Sequence, residues 1–235
     1  MRQVLVIQFR KDQAGPHEQE CINRRLPGDS TADYLSVFDD SIDFTDVVSL
    51  LDGYDKLILG GSGEIDFSDE DSSEMKIIKK QLEPLLNYVF KIDFPTYGAC
   101  FGHHLIGYFL GTVVEADPSQ EEINFEATIN LTEEGIMDPI FKNLPPSFES
   151  VVGHKDSLMS LPKDSVLLAK NDRTKVQAFR YKNNIYGIQF HGELGVEDLI
   201  FRLQLYPEYK SLAGSIEPKP APHAPKVLQN FLSLP

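Results

Sequence analysis

The chain has 235 residues, of which 41% are hydrophobic and 25% charged, the balance of a folded globular protein rather than of a disordered or membrane chain. A formal net charge of −14 argues against capture of nucleic acid or of an anionic membrane, since both need clustered Lys and Arg. The length suits one core, so a single domain over residues 1–235 is expected; the opening apolar run is too short for a signal peptide and no stretch nears the roughly 20 apolar residues of a membrane span, which gives a cytoplasmic address by default.

In chain order, Val4-Leu5-Val6-Ile7 reads as a strand buried on both faces, the pattern of a parallel sheet covered by helices. Cys21 follows in the stretch His17 to Leu26, where it is expected to act as a small buried apolar group; with Cys100 it makes two cysteines, too few for a disulfide framework. Lys56-Leu57-Ile58-Leu59 is a second strand, ending at Gly60-Gly61. The acidic segment Glu64 to Glu74 is expected to be a solvated helix start, since carboxylates favour the positive end of the helix dipole, and no ion is assigned to it. A helix with Met75, Ile78, Leu82, Leu85, Leu86 and Val89 on one face leads to the strand stretch Phe94 to Cys100 and to a helical pattern over His103 to Leu110. Strands separated by helices of this length imply βαβ units and an α/β fold.

Beyond Gly111 the pattern becomes strand-rich: Thr112 to Glu115, Ile123 to Leu131, Val151-Val152, Val166 to Ala169, Val176 to Tyr181 and Ile185 to Phe190. The last two flank Lys182-Asn183-Asn184, a good turn sequence because Asn tolerates left-handed backbone angles, and a hairpin is expected there. Glu217 to Pro225 is too rich in proline for helix or inner strand and is expected to cross the surface, before Val227-Leu228 and Phe231-Leu232 form a closing helix.

Three segments carry chemistry. Gly98-Ala99-Cys100-Phe101-Gly102 sits where an apolar strand gives way to a helix, the setting of a nucleophile elbow, and the flanking glycines allow close approach of neighbouring backbone. A cysteine there lies beside the first N–H groups of a helix, which favour a thiolate. Amide chemistry by a thiolate needs a proton donor for the departing amine, and His191 stands at the end of the last strand, with Glu193 two residues on to orient it. Gly60-Gly61 is either a plain turn or, with the N–H of Phe101, part of an oxyanion hole.

Leu59-Gly60-Gly61, Tyr97 to His103, Gly153-His154-Lys155-Asp156 and Tyr186 to Glu193 together resemble, in order, the blocks of the class I glutamine amidotransferases, and among them the free-standing group similar to the GMP synthase glutaminase domain and to γ-glutamyl peptidases. The resemblance implies a flavodoxin-like three-layer fold with a mainly parallel central sheet and a C-terminal β-rich portion. It implies that Cys100 attacks a γ-glutamyl amide to form a thioester that water hydrolyses, with His191 and Glu193 completing the triad. Gly61 and Phe101 then look like the oxyanion donors, and Gly60, His104, Gly153, His154 and Lys155 like substrate-binding positions. Two departures stand out: His104 replaces the family's usual glutamine, and Gly192 replaces the usual proline between histidine and glutamate.

No cofactor or metal is called for by this chemistry. The partner expected is a small γ-glutamyl substrate, either glutamine, with a synthetase as ammonia acceptor in trans, or a γ-glutamyl peptide hydrolysed without one. A catalytically silent binding protein of the same fold is the alternative from a different class, disfavoured by the retention of all three chemical groups.

Overall fold

The computed structural model describes residues 2–206, 210–214 and 222–235, and within them the side chains of all but 124–126 and 212. The elements in order are β1 (Arg2–Gln8), α1 (Ala14–Asn23), β2 (Ser30–Ser36), α2 (Val47–Leu51), β3 (Lys56–Leu59), α3 (Ser73–Ile92), β4 (Thr96–Ala99), α4 (Phe101–Phe109), β5 (Val114–Ala116), β6 (Glu122–Leu131), α5 (Glu133–Met137), β7 (Ser147–His154), β8 (Asp156–Leu158), β9 (Ser165–Lys170), β10 (Ala178–Tyr181), β11 (Ile185–Ile188), α6 (Val196–Leu205), α7 (Lys210–Ala213) and α8 (Ala224–Ser233). Among the described residues no helix is long and apolar enough to cross a membrane.

A nine-stranded sheet runs in the order β2-β1-β3-β4-β11-β10-β9-β6-β7. The ladders from β2 to β11 are parallel and those from β11 to β7 antiparallel, so the parallel portion and the β-rich portion share one sheet. β1 shows why its sequence is apolar throughout: Leu5 and Ile7 pack with α3 and α4 on one face, Val4 and Val6 with α8 on the other. A third cluster, including Cys21, Leu194, Leu199 and Leu203, joins α1 to α6.

Local chemistry accounts for several boundaries. Ser72 caps α3 by accepting from the Met75 N–H at 3.2 Å, and Asp93 ends it in the left-handed region at φ 57°. The acidic run ahead of α3 reaches for lysines: Glu70 for Lys79 at 3.1 Å, Asp71 for Lys76 at 3.5 Å, Glu74 for Lys11 at 2.9 Å. In the β10–β11 hairpin the left-handed residue is Lys182, at φ 52°, and not an asparagine. The backbone N–H groups of Asn183 and Asn184 instead donate to the Asp93 carboxylate, at 3.3 and 3.2 Å, tying the turn to the end of α3. Of the expected crossing over 217–225, residues 217–221 lie outside the described residues, and Ala224 and Pro225 already belong to α8. Proline fits there because the first helical N–H groups have no partner to lose.

The extents of α1, β2 and α6 escaped the sequence reading. β2 has no buried residue, its positions being intermediate or exposed as befits an edge strand, and α1 opens with Ala-Gly-Pro and has weak amphipathic character. All four central parallel strands point their carboxyl ends at one rim, and α1 and α6 pack beside it.

Candidate active site

At that rim β4 turns sharply into α4. Cys100 holds the turn with φ 49° and ψ −96°, a conformation non-glycine residues rarely adopt, and its N–H donates to the Ile188 carbonyl at 2.8 Å. The flanking glycines are required by contact: a Cβ on Gly98 would lie 2.5 Å from the Gly102 carbonyl oxygen, and one on Gly102 only 2.3 Å from that of Leu59. Gly102 N–H also donates to the Gly60 carbonyl at 3.1 Å, fastening the elbow to the loop after β3.

His191 lies three residues beyond β11, held by its own N–H donating to the Val151 carbonyl of β7 at 2.9 Å. Its Nδ1 is 2.8 Å from Glu193 Oε1, with side-chain exposures of 6% and 3%. The Cys100 thiol donates to the Gly153 carbonyl oxygen at 3.6 Å, and His191 lines the same pocket as that thiol. Burial alone would lower the histidine pKa, but the Glu193 charge, aided by Cys100 and by the hydrogen bond with Glu193, outweighs it and raises the group to about 9. Burial likewise opposes ionisation of Glu193, and the facing imidazole with Arg202 overcomes it, holding the carboxyl at about 2. Both shifts have the direction of a buried imidazolium–carboxylate pair.

The Cys100 sulfur faces a pocket that also receives Phe101, His104, Gly153, His154 and His191. Lys155 sits on its rim with its ammonium 3.4 Å from Asp66. His104 Nε2 is 2.7 Å from Gln189 Oε1, and the Gln189 amide nitrogen is 3.8 Å from the Cys100 sulfur, so histidine and glutamine form a relay under the nucleophile. Burial, reinforced by the nearby His154, pushes His104 down to about 4, which keeps it neutral. His154 Nδ1 faces the Asp156 carbonyl oxygen at 3.0 Å, and its Nε2 is 3.7 Å from Glu122. Glu122 is itself fixed by the side chains of Asn171, Thr174 and Gln177 at 2.8–2.9 Å.

The two glycines after β3 have different neighbours. Gly60 uses its N–H on the Ile7 carbonyl at 3.0 Å and its carbonyl on Gly102, so it braces the elbow and is not among the pocket-lining residues. Gly61 N–H donates to Glu18 Oε2 at 3.1 Å, and that carboxylate is ion-paired with Arg10 Nε at 3.0 Å. In this arrangement its N–H is therefore engaged by a buried acid. Phe101, as the first residue of α4, has an N–H with no partner inside the helix.

Sequence reasoning passed over Gln189, Asp156, Arg10, Glu18, Glu122 and Arg202. Asp156 had a visible signal, because it ends the Gly153-His154-Lys155 block; its Oδ2 accepts from the Phe67 N–H at 2.6 Å while its buried Oδ1 has no hydrogen-bond partner among the described residues. Arg10, Glu18 and Arg202 carried no local signal, since the loop after β1, α1 and α6 meet at the pocket only through the fold. Cys21 is fully buried, and burial pushes its thiol up to about 12.

The model of the class I glutamine amidotransferase family matches residues 37–198, more than half of the chain. The chain therefore belongs to that family. Among curated proteins it is 33% identical over 108 residues to a glutamine-hydrolyzing GMP synthase subunit of Methanobrevibacter smithii, covering 46% of this chain and 54% of that protein. It is 31% identical to the corresponding GMP synthase subunit of Sulfurisphaera tokodaii, covering 63% of this chain and 71% of that one. The first of these matches thus spans about half the relative's length. A glutamine amidotransferase structure from Thermotoga maritima superposes with a TM-score of 0.71 at 21% identity, covering 98% of this chain and 94% of that one, a likeness of fold.

Proposed function

We propose that the protein hydrolyses a γ-glutamyl amide through a thioester on Cys100. The observation that carries this reading is the buried His191–Glu193 pair, joined at 2.8 Å, lining the same pocket as a Cys100 held at a strained elbow. In the first step the thiolate sulfur adds to the γ-carbonyl carbon, the C–N bond breaks, and His191 gives its Nε2 proton to the departing amine. In the second, water loses a proton to His191 and adds to the thioester carbon, the C–S bond breaks, and glutamate leaves.

The oxygen that gains charge in both steps accepts from the Phe101 N–H; Gly61 joins it only after releasing Glu18. The segment Gly153-His154-Lys155, with the unpaired oxygen of Asp156 beside it, suits the α-amino and α-carboxylate groups of the glutamyl half. His104 acts through Gln189 in supporting the sulfur side of the pocket, a neutral stand-in for an amide because imidazole also offers one donor and one acceptor. The relatives' names put glutamine, with a synthetase in trans as the taker of ammonia, among the γ-glutamyl amides to be tried.

The test is hydrolysis of γ-glutamyl amides by the purified chain and by Cys100→Ser, together with alkylation by an electrophilic glutamine analogue. The variant is expected to lose activity by about a thousandfold or more and to escape alkylation. Equal turnover by the serine variant would defeat the reading.

A further inference from the structure

We infer that the wall of the pocket facing α6 is a carboxylate-reading subsite for the leaving amine, with Arg202 and Arg10 as its specificity-determining residues, so that the favoured substrates are γ-glutamyl amino acids or peptides rather than glutamine. This rests on the hydrolase reading above and names the substrate class of that site.

The direction of departure comes from the imidazole. Nδ1 of His191 is committed to Glu193, so Nε2 is the nitrogen that can hand over a proton, and the leaving amine must lie on its side. That side is the α6 side: a Cβ built on Gly153 would stand 4.0 Å from His191 Nε2 and 3.9 Å from Leu199 Cδ1. Leu199, Arg202, Leu203 and Tyr206 line the pocket there, joined by Arg10 from the loop after β1. Ammonia leaving from glutamine has nothing to offer such a wall.

Its polar groups are the Tyr206 hydroxyl, which donates to Asp12 Oδ2 at 2.9 Å, and two guanidiniums, their side chains only 3% (Arg10) and 5% (Arg202) exposed. Arg202 Nε lies 3.4 Å from His17 Nδ1 and Nη1 3.5 Å from Glu193 Oε1, yet neither terminal nitrogen makes a hydrogen bond among the described residues. A buried guanidinium ordinarily satisfies its donors, and a planar carboxylate matches the two terminal nitrogens side by side. Arg10 is oriented by Glu18 through Nε, and its Nη1 and Nη2 face the turn after β3, where a Cβ on Gly63 would come within 3.0 Å of Nη1 and one on Gly61 within 2.9 Å of Nη2. The glycines keep that approach open. Glu18 and Glu193 balance the two positive charges, so the selectivity lies in directed hydrogen bonds and not in net charge. Leu199 and Leu203 between them suit the short aliphatic link from an amine nitrogen to its carboxylate.

The experiment compares kcat/KM for γ-glutamylglycine, γ-glutamylglycinamide and glutamine on the wild-type chain, Arg202→Lys and Arg202→Gln. Wild type is expected to favour the acid over its amide by about tenfold or more; Arg202→Gln is expected to bring the ratio to roughly one, and Arg202→Lys to leave it between. Equal use of acid and amide by wild type overturns the inference while leaving the hydrolase reading intact, and needs no variant to fold. A loss in Arg202→Gln that is equal for all three substrates also overturns it, assigning Arg202 to the support of Glu193 or to the glutamyl half. Absence of hydrolysis on every substrate, unchanged in Cys100→Ser, removes the hydrolase reading itself and the inference with it.

Discussion

The elbow side of the pocket and the α6 side are built by different means. The elbow is made of backbone: Gly98, Gly102 and Leu59 meet at separations that leave no room for a single added carbon, and Cys100 is placed by main-chain hydrogen bonds to neighbouring strands. The α6 side is made of long charged side chains, Arg10 with Glu18 and Arg202 with Glu193, brought together from α1, α6 and the loops after β1 and β11. Rigid backbone suits the group that must not move. Side chains on helices suit the part that reads a substrate, since they can be exchanged without rebuilding the sheet.

The sharpest way to probe the contrast is Glu193, which stands between the two sides. Glu193→Gln is expected to lower kcat by about a hundredfold or more, since the imidazole loses the partner that fixes its tautomer and charge. Without the carboxylate the chief cause raising His191 is gone, so the alkaline limb of the rate profile, set in wild type near the imidazole value of about 9, moves to lower pH. An unshifted limb would deny Glu193 that role. The same pair has a stability consequence. The histidine, raised when folded, contributes fully below its ordinary 6.5, and that contribution is lost as pH rises through about 9; the depressed carboxylate contributes above its ordinary 4.5, and that is lost as pH falls through about 2.

On the α6 side, Arg10→Met is expected to destabilise the fold by about 3 kcal/mol, because it strands the Glu18 carboxylate in the interior. Arg10→Met combined with Glu18→Leu should recover much of the loss, since a buried pair replaced by apolar groups is often neutral. Denaturant melts of the single and double variants measure this, and a double variant weaker than the single would contradict it.

On the elbow side, Gly102→Ala is expected to lower stability by about 2 kcal/mol, the usual effect of forcing an extra carbon into packed structure, because the obstacle is the Leu59 carbonyl and not a side chain that can turn away. Unlike Arg10→Met on the far wall, Gly102→Ala has no second-site remedy, because its obstacle is backbone, so the two sides should also differ in whether a compensating change exists. Thermal unfolding of Gly102→Ala is the measurement, and a wild-type melting temperature would show the elbow to be looser than its contacts indicate.

Much of the scaffold was legible because it rests on local patterns. The apolar run of β1, the 3.6-residue spacing in α3 and the glycines around Cys100 each state their surroundings within a few neighbouring residues, and His191 and Glu193 are close enough in sequence to be read as a pair. The hairpin was legible from its asparagines, but not that a lysine takes the left-handed position or that Asp93, some ninety residues away, accepts the hydrogen bonds of the turn. Gly60 and Gly61 announce a close approach in the sequence without saying of what; Glu18 and Gly102 are the neighbours.

By itself, then, the sequence determined the α/β class, the strand-to-helix turn that presents Cys100 and the strand end that carries His191, since periodicity and glycine spacing act over short distances. Only the tertiary structure decided that the β-rich portion continues the same sheet, that Gly61 donates to a buried acid, and that two arginines wall the pocket. Those depend on ion pairs and contacts between segments distant in the chain, whose partners no local pattern encodes.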